Sequence, residues 1–345
     1  MSLDTVGPGA LIHVTERDDV ARSRRAAHEL AIADGVDGRR MSELALVVTV
    51  VATNLVLHGG GLLSLRRLGT LGGPGLEVLA YLDAGSRPWL HPGRRPGESF
   101  GAGLSALRRL SDEYAVAEQG SLLWARLGRS ARRTRLGHAA GTDPAAVPRQ
   151  APYVTGVVAP TPSGTDVVTQ WRAVHRPGRV TLVACHAGGP PAEEVARRLM
   201  ALASRSGRAT SLAGYREILG AAPRAGASFI ELDLQRRTVT AGSNGSLAVR
   251  ITADGQPTRL TPSDVPAPEV RVRWAHTVET LIHPESLRGR LAGGAEPAGQ
   301  GGQPHHPALR AAALLRGREG EAEPSGLVVV ARVDEDALAS TAAQG

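Results

Sequence analysis

The sequence predicts an α+β protein built as two domains, and three observations carry that expectation. The chain has 345 residues, enough for two ordinary cores. Residues Glu43 to Gly61 read ELALVVTVVATNLVLHGGG, an apolar run too continuous for an exposed amphipathic helix; it marks a helix largely buried against a sheet. Ala131 to Gln150, arginines and Asp143 among Ala, Pro and Gly, has the composition of an interdomain linker, and strand-like segments dominate the chain beyond Gln150.

The elements of the first half follow from local pattern. Within residues 1 to 16, LIHV after a Gly-Pro-Gly turn reads as a strand. Asp18 to Asp34 spaces Val20, Ala27, Leu30 and Ala31 at helical intervals between arginines. Ser42 is the expected N-cap of the apolar helix. Asn54 sits in the middle of that helix, and a buried amide needs either a hydrogen-bonded network or a ligand. Gly59-Gly60-Gly61 ends the helix by the left-handed route. GLLSLRRL and GLEVLAYLD then read as two strands joined by a turn from Leu71 to Gly75.

Composition narrows the function classes. The chain has no Lys, so its 40 basic residues are all Arg, scattered largely in pairs such as Arg24-Arg25 and Arg108-Arg109. A net charge of +7 raises nucleic-acid binding, but aromatics at 3% leave little to stack on bases, so no specific nucleic-acid partner is expected. The single cysteine, Cys185, forms no intrachain disulfide and fits a reducing compartment. With neither a signal peptide nor an uninterrupted membrane-length apolar span recognised, the expected location is the cytoplasm, with no membrane partner.

The central helix, with Asn54 and His58, resembles the N-box helix of the GHKL ATPases and kinases, in particular the RsbT/RsbW-like anti-sigma-factor serine kinases. That resemblance implies an N-terminal GHKL (Bergerat) α/β sandwich over residues 10–130, with Asn54 holding magnesium on ATP. The family's general base falls at Val50, four residues before Asn54, and valine accepts no proton. Glu43 lies almost two turns before Val50, too far along the axis to substitute. Asp83-Ala84-Gly85-Ser86-Arg87 resembles the family's D-x-G-x-G, which implies Asp83 as the acceptor for adenine and Gly85 beside the nucleotide; Arg87 replaces the last glycine. Phe100 to Tyr114 resembles the family's glycine-rich segment, implying that Gly101 and Gly103 approach phosphate at a helix start. The strand SLLWARLG comes next, as the resemblance requires.

The second half, residues 151–333 before a tail at 334–345, resembles the SpoIIE and RsbX type of PPM serine/threonine phosphatase, an α-β-β-α sandwich. The resemblance rests on Gly156 to Pro162, the run to Trp171, Arg179 to Ala184, a helix Ala192 to Ser204, and strands Ala227 to Leu234 and Thr238 to Gly242. Asn244-Gly245, His306-Pro307-Ala308-Leu309 and the closing strand Gly326 to Arg332 complete it. Such phosphatases hold two divalent cations with aspartates, but here the corresponding positions fall at Thr169, Cys185, Ala275 and Pro324. Manganese or magnesium is therefore not expected in this half, and Cys185, His186 and His276 match no zinc spacing. Gly289 to Gln303 reads as an insertion or loop.

The combined expectation is a regulator in a bacterial partner-switching pathway: a nucleotide-binding pseudo-kinase fused to a pseudo-phosphatase, contacting a STAS-domain antagonist or a related regulatory protein. The alternative is an active serine kinase with an unorthodox base, or a phosphatase recruiting Asp166, Glu279 and Glu323.

Overall fold

The computed structural model describes residues 4–6, 9–68, 75–83, 86, 102–117, 121–128, 153–158, 167–176, 178–188, 190–204, 212–221, 226–260, 269–287, 307–316 and 326–334. The chain runs β1 (Asp4–Val6), β2 (Ala10–Val14), α1 (Arg17–Ala33), α2 (Gly38–His58), β3 (Gly61–Arg67), β4 (Gly75–Leu82), α3 (Ala102–Leu110), β5 (Glu113–Ala117) and β6 (Leu122–Gly128). It continues through β7 (Tyr153–Val158), β8 (Val167–Arg176), β9 (Arg179–Gly188), α4 (Pro190–Ser204), α5 (Leu212–Ala221), β10 (Ala227–Asp233), β11 (Thr238–Ser243) and β12 (Leu247–Ala253). The last elements are β13 (Gln256–Leu260), β14 (Glu269–Arg273), β15 (Thr277–Pro284), α6 (Pro307–Arg316) and β16 (Leu327–Asp334).

These elements form two compact units whose boundaries differ from a simple cut at the linker. A helix-sheet unit takes Gly9–Val147 together with Pro297–Ala322, and a sandwich unit takes Met1–Pro8, Pro148–Glu296 and Glu323–Gly345. The first eight residues thus belong with the second half, and α6 belongs with the first. Neither exchange has a local signature, because each depends on which distant surface the segment meets.

In the helix-sheet unit, an antiparallel sheet of order β2-β3-β4-β6-β5 carries α1 and α2 on one face. α2 buries Leu44, Val47, Val48, Val51, Ala52 and Leu55, a stripe at the 3.6-residue period. Its other side is open, with Leu46 46% and Leu57 73% exposed, so the continuous apolar run is a half-buried helix rather than a largely buried one. At 21 residues α2 is also long and apolar enough by composition to cross a bilayer, and here its buried stripe packs in a core.

The start of α2 lies one turn earlier than Ser42. Asp37 caps it by accepting the Arg40 N–H at 2.9 Å, and the Ser42 hydroxyl instead donates to the Gly38 carbonyl inside the helix. Its end agrees with expectation, with Gly59 and Gly60 at φ of 108° and 102°. Arg40 itself is buried and donates to the carbonyls of Gly128 and Leu110 and to the carboxylates of Glu43 and Asp112. One guanidinium therefore joins the start of α2, the end of α3 and the strands β5 and β6.

Both faces of this sheet are covered. Leu76, Val78, Ala80 and Leu82 of β4 join the core under α1 and α2. The alternate residues Leu79 and Tyr81 pair across the sheet with Trp124 and Leu122 and are also buried, as is Leu62 opposite Tyr81. α6 packs across β4, β5 and β6. On that same set of alternate positions Arg66 and Glu77 form a buried ion pair at 3.0 Å.

The sandwich unit stacks a six-stranded sheet, β1-β8-β9-β10-β11-β14, on a five-stranded one, β13-β12-β15-β16-β7, both antiparallel. Trp171, Leu182, Ile230 and Val239 from one and Val249, Ile251, Ile282 and Val329 from the other share the core between them. Gly156 has no room for a side chain, because a Cβ would sit 2.4 Å from the Trp171 ring. α4 and α5 cover the outside of the six-stranded sheet, where Leu199, Tyr215 and Ile218 pack with Val183, Cys185 and Phe229. Asn244 is buried and ties that layer together, accepting the Ala227 N–H and donating to the Leu219 carbonyl.

Candidate functional sites

The first candidate site lies where α2 ends. Gly60 turns the chain from α2 into β3, and its carbonyl accepts the Asp83 N–H at 3.2 Å. A Cβ at Gly60 would stand 3.2 Å from Asp83 Oδ2 and 3.1 Å from Thr15, so only glycine lets the carboxylate lie this close to the turn. His13, at an outward position of β2, meets Asp83 Oδ2 through Nε2 at 2.9 Å. Sequence reasoning missed His13; its only signal was a polar position alternating with Ile12 and Val14.

Asn54 stands one turn after Val50 on the open side of α2, and both are half-buried. Asn54 is therefore not the buried amide the apolar run suggested. The helix offers no carboxylate beside it: Glu43 is eleven residues back, about 16 Å along the axis, and is paired with Arg40. Gly85 and Gly101 lie outside the described residues, and Gly103 falls in the first turn of α3. The segment from Leu110 to Tyr114 has a structural task instead. The Asp112 carboxylate accepts the Gly128 N–H and the Arg40 guanidinium, and β5, which the motif reading passed over, begins at Glu113.

The second candidate site lies at the end of the sandwich where β8 and β9 meet the loops. Thr169 and His186 are paired across β8 and β9, and the Thr169 hydroxyl bonds His186 Nδ1 at 2.9 Å. The Ser246 hydroxyl donates to the His186 carbonyl, whose N–H in turn reaches Gly226. A Cβ on Gly326 would meet Pro284 at 2.5 Å and lie 3.6 Å from His186 Nε2. Burial holds the His186 imidazole below its usual range, so it is neutral at neutral pH.

Two of the phosphatase-like positions, Cys185 and Ala275, stand apart from Thr169. Cys185 is next to His186 in sequence but points to the opposite face of β9, into the core under α4 and α5, because successive strand residues alternate. That also separates it from His186 as a ligand set. Ala275 lies at the far end of the sandwich. Its carbonyl accepts Arg237, in the turn beyond β10, whose Asp233 pairs with Arg179 of β9. Arg179 and His186 are seven residues apart on β9, about 23 Å. Pro284, at the close of β15, is the residue that reaches the Thr169 end. Pro324 lies outside the described residues.

Hard divalent cations want several carboxylate oxygens. Among the described residues this end places Thr169, His186, Ser246 and Pro284 together, with the Glu285 N–H donating to the Ser246 carbonyl, and Asp166 and Glu323 lie outside the described residues. Among the described residues, no group of three or more His, Cys, Asp or Glu is placed to hold a metal.

No protein-family model and no curated protein matches the sequence. Solved structures resemble it loosely. One is the phosphatase domain of SpoIIE from Bacillus subtilis with a fragment of its regulatory domain, 13% identical, covering 93% of this chain and 100% of that one at a TM-score of 0.39. Another is RsbX in complex with magnesium, 11% identical, covering 52% of this chain and 93% of that one at 0.38. A third holds the RsbU and RsbW domains of a Mycobacterium tuberculosis protein, 13% identical, covering 53% of this chain and 60% of that one at 0.37. These likenesses assign neither unit to a family, and nothing in them places the helix-sheet unit among the GHKL kinases.

Proposed function

We propose that the chain is a non-catalytic regulator of a cytoplasmic partner-switching pathway, a nucleotide-binding pseudo-kinase joined to a pseudo-phosphatase that acts by binding a STAS-domain antagonist or a related regulatory protein. The observation that carries this reading is the state of the two sites. Among the described residues, one site places Asn54 and Asp83 near the end of α2 with Val50 at the expected base position, and the other places Thr169 against His186. Asn54 and the Asp83 carboxylate supply polar partners suited to a nucleotide with magnesium, while Val50 leaves no proton acceptor for a substrate hydroxyl. The bound magnesium would neutralise phosphate charge, and the chain's part is to orient: Asn54 toward the metal, Asp83 toward the base. The Thr169–His186 pair replaces the charges needed to activate a water.

Calorimetric titration of Mg-ATP into the wild type and Asn54→Ala tests the first half. Binding that weakens at least tenfold in the variant supports the reading, and no binding to the wild type removes the nucleotide. The second half is tested with an aryl phosphate and added manganese. Metal-dependent turnover would overturn the pseudo-phosphatase assignment.

A further inference from the structure

Strand alternation sets apart the two residues that a nucleotide would need together. Ile12 and Val14 of β2 point into the core under α1 and α2, so His13 between them faces the other side of the sheet. Leu62 and Tyr81, next to it across β3 and β4, face the same way. Asp83 follows Tyr81 by two residues and meets His13 on that side, its carboxylate Oδ2 accepting from Nε2 at 2.9 Å. Asn54, by contrast, is carried by α2 on the opposite face of the same sheet.

The contact can open without disturbing its surroundings. Among the described residues, His13 is the one side chain bonded to Asp83. The backbone on both sides is anchored independently of it, since Arg22 donates to the His13 carbonyl at 3.0 Å and the Asp83 N–H reaches the Gly60 carbonyl. The two side chains stand partly in water, 53% exposed for His13 and 26% for Asp83. Asp83 is also the first residue past the end of β4, beyond the last paired residue Leu82, where the ladder no longer dictates which face a side chain takes.

We propose that the His13–Asp83 contact is an autoinhibitory latch on the nucleotide site, keeping the carboxylate on the face away from α2 until an adenine nucleotide draws it off His13. The latch rests on the nucleotide reading of Asn54 and Asp83. While it is closed, Asp83 is turned away from a base seated on the α2 side, so the nucleotide meets only the open fraction and its apparent affinity falls by that fraction. A histidine–carboxylate contact this open to solvent is a bias and not a block, worth about fivefold in affinity.

Calorimetric titration of Mg-ATP into the full chain tests the latch through variants at an exposed position. His13→Ala removes the donor and is expected to bind about fivefold more tightly than the wild type, whereas His13→Gln keeps an N–H donor and should stay within about twofold of it. Wild-type binding that His13→Ala leaves unchanged or weakens overturns the latch while the nucleotide reading stands. Equal tightening in both variants would assign the effect to the bulk of the ring and overturn the latch as well. If neither the wild type nor His13→Ala binds Mg-ATP, the nucleotide reading falls and takes the latch with it. On the wild type, the His13 ring signals in an NMR spectrum are expected to shift as Mg-ATP saturates the protein. Ring signals unmoved at saturation would show that Asp83 never leaves His13, and overturn the proposal without any variant.

Discussion

Cys185 shows how far a residue's meaning depends on which way its strand faces. Its thiol is fully buried under α4 and α5, and burial pushes it up to about 11. A native chain is expected to leave it unreacted with a thiol reagent at pH 8 on a timescale of hours, and to react in full once denatured. Fast labelling of the folded protein would place Cys185 at the surface and sink the assignment of this position to the core.

Asp254 is exposed, and its carboxylate accepts the N–H groups of Thr277, Ala275 and His276, which hold it down at about 2. A depressed carboxylate stabilises the fold above its unfolded value, near about 4, and that contribution disappears as pH falls through the folded value. The gap in Tm between the wild type and Asp254→Ala should therefore be full above about pH 4 and close toward pH 2. A gap that does not change over that window would mean the turn is held by something other than the charge. The Asp254-Gly255 pair, with φ of 49° and 80°, is also the legible signal of the β12–β13 hairpin, and sequence reading passed over it.

At the scale of elements, Arg40 does more for α2 than its apolar stripe reveals. Its guanidinium is 5% exposed and satisfies two carbonyls while facing two carboxylates, so Arg40→Met removes a donor from all four, with Asp112 keeping the Gly128 N–H and Glu43 keeping Arg39. Breaking a buried pair costs about 3–5 kcal/mol, and the partial exposure of Asp112 puts the expected loss near the lower end of that range. Urea unfolding followed by helix signal reads it. A loss below about 1 kcal/mol would show that water replaces the arginine. Gly156 is the corresponding point in the sandwich. Adding one methyl against the Trp171 ring should destabilise it by about 1–3 kcal/mol, measured as a shift of the denaturation midpoint at unchanged slope.

For the whole molecule, the exchange of segments decides which pieces are stable together. Deleting residues 297–322 removes α6 from the helix-sheet unit, although those residues come after the sandwich's β15 in sequence. The expected result is one more of the four tryptophans accessible to iodide, Trp124, together with a lowered transition for the unit containing α1 and α2. Quenching unchanged by the deletion would mean that α6 does not shield this face.

Much of the fold was legible because it is written in local periodicity. The helical spacing of Val20 to Ala31, the apolar run closed by Gly59 and Gly60, and the short apolar runs of β3, β4, β10 and β16 need only near neighbours to declare themselves. The tertiary structure alone decided the rest. It put Cys185 and His186 on opposite faces, Ala275 at the far end from Thr169, His13 against Asp83, and α6 on a sheet nine strands upstream. These facts arise from long-range pairing and from which buried surface a segment finds, and their energy resides in contacts between residues that the chain holds far apart.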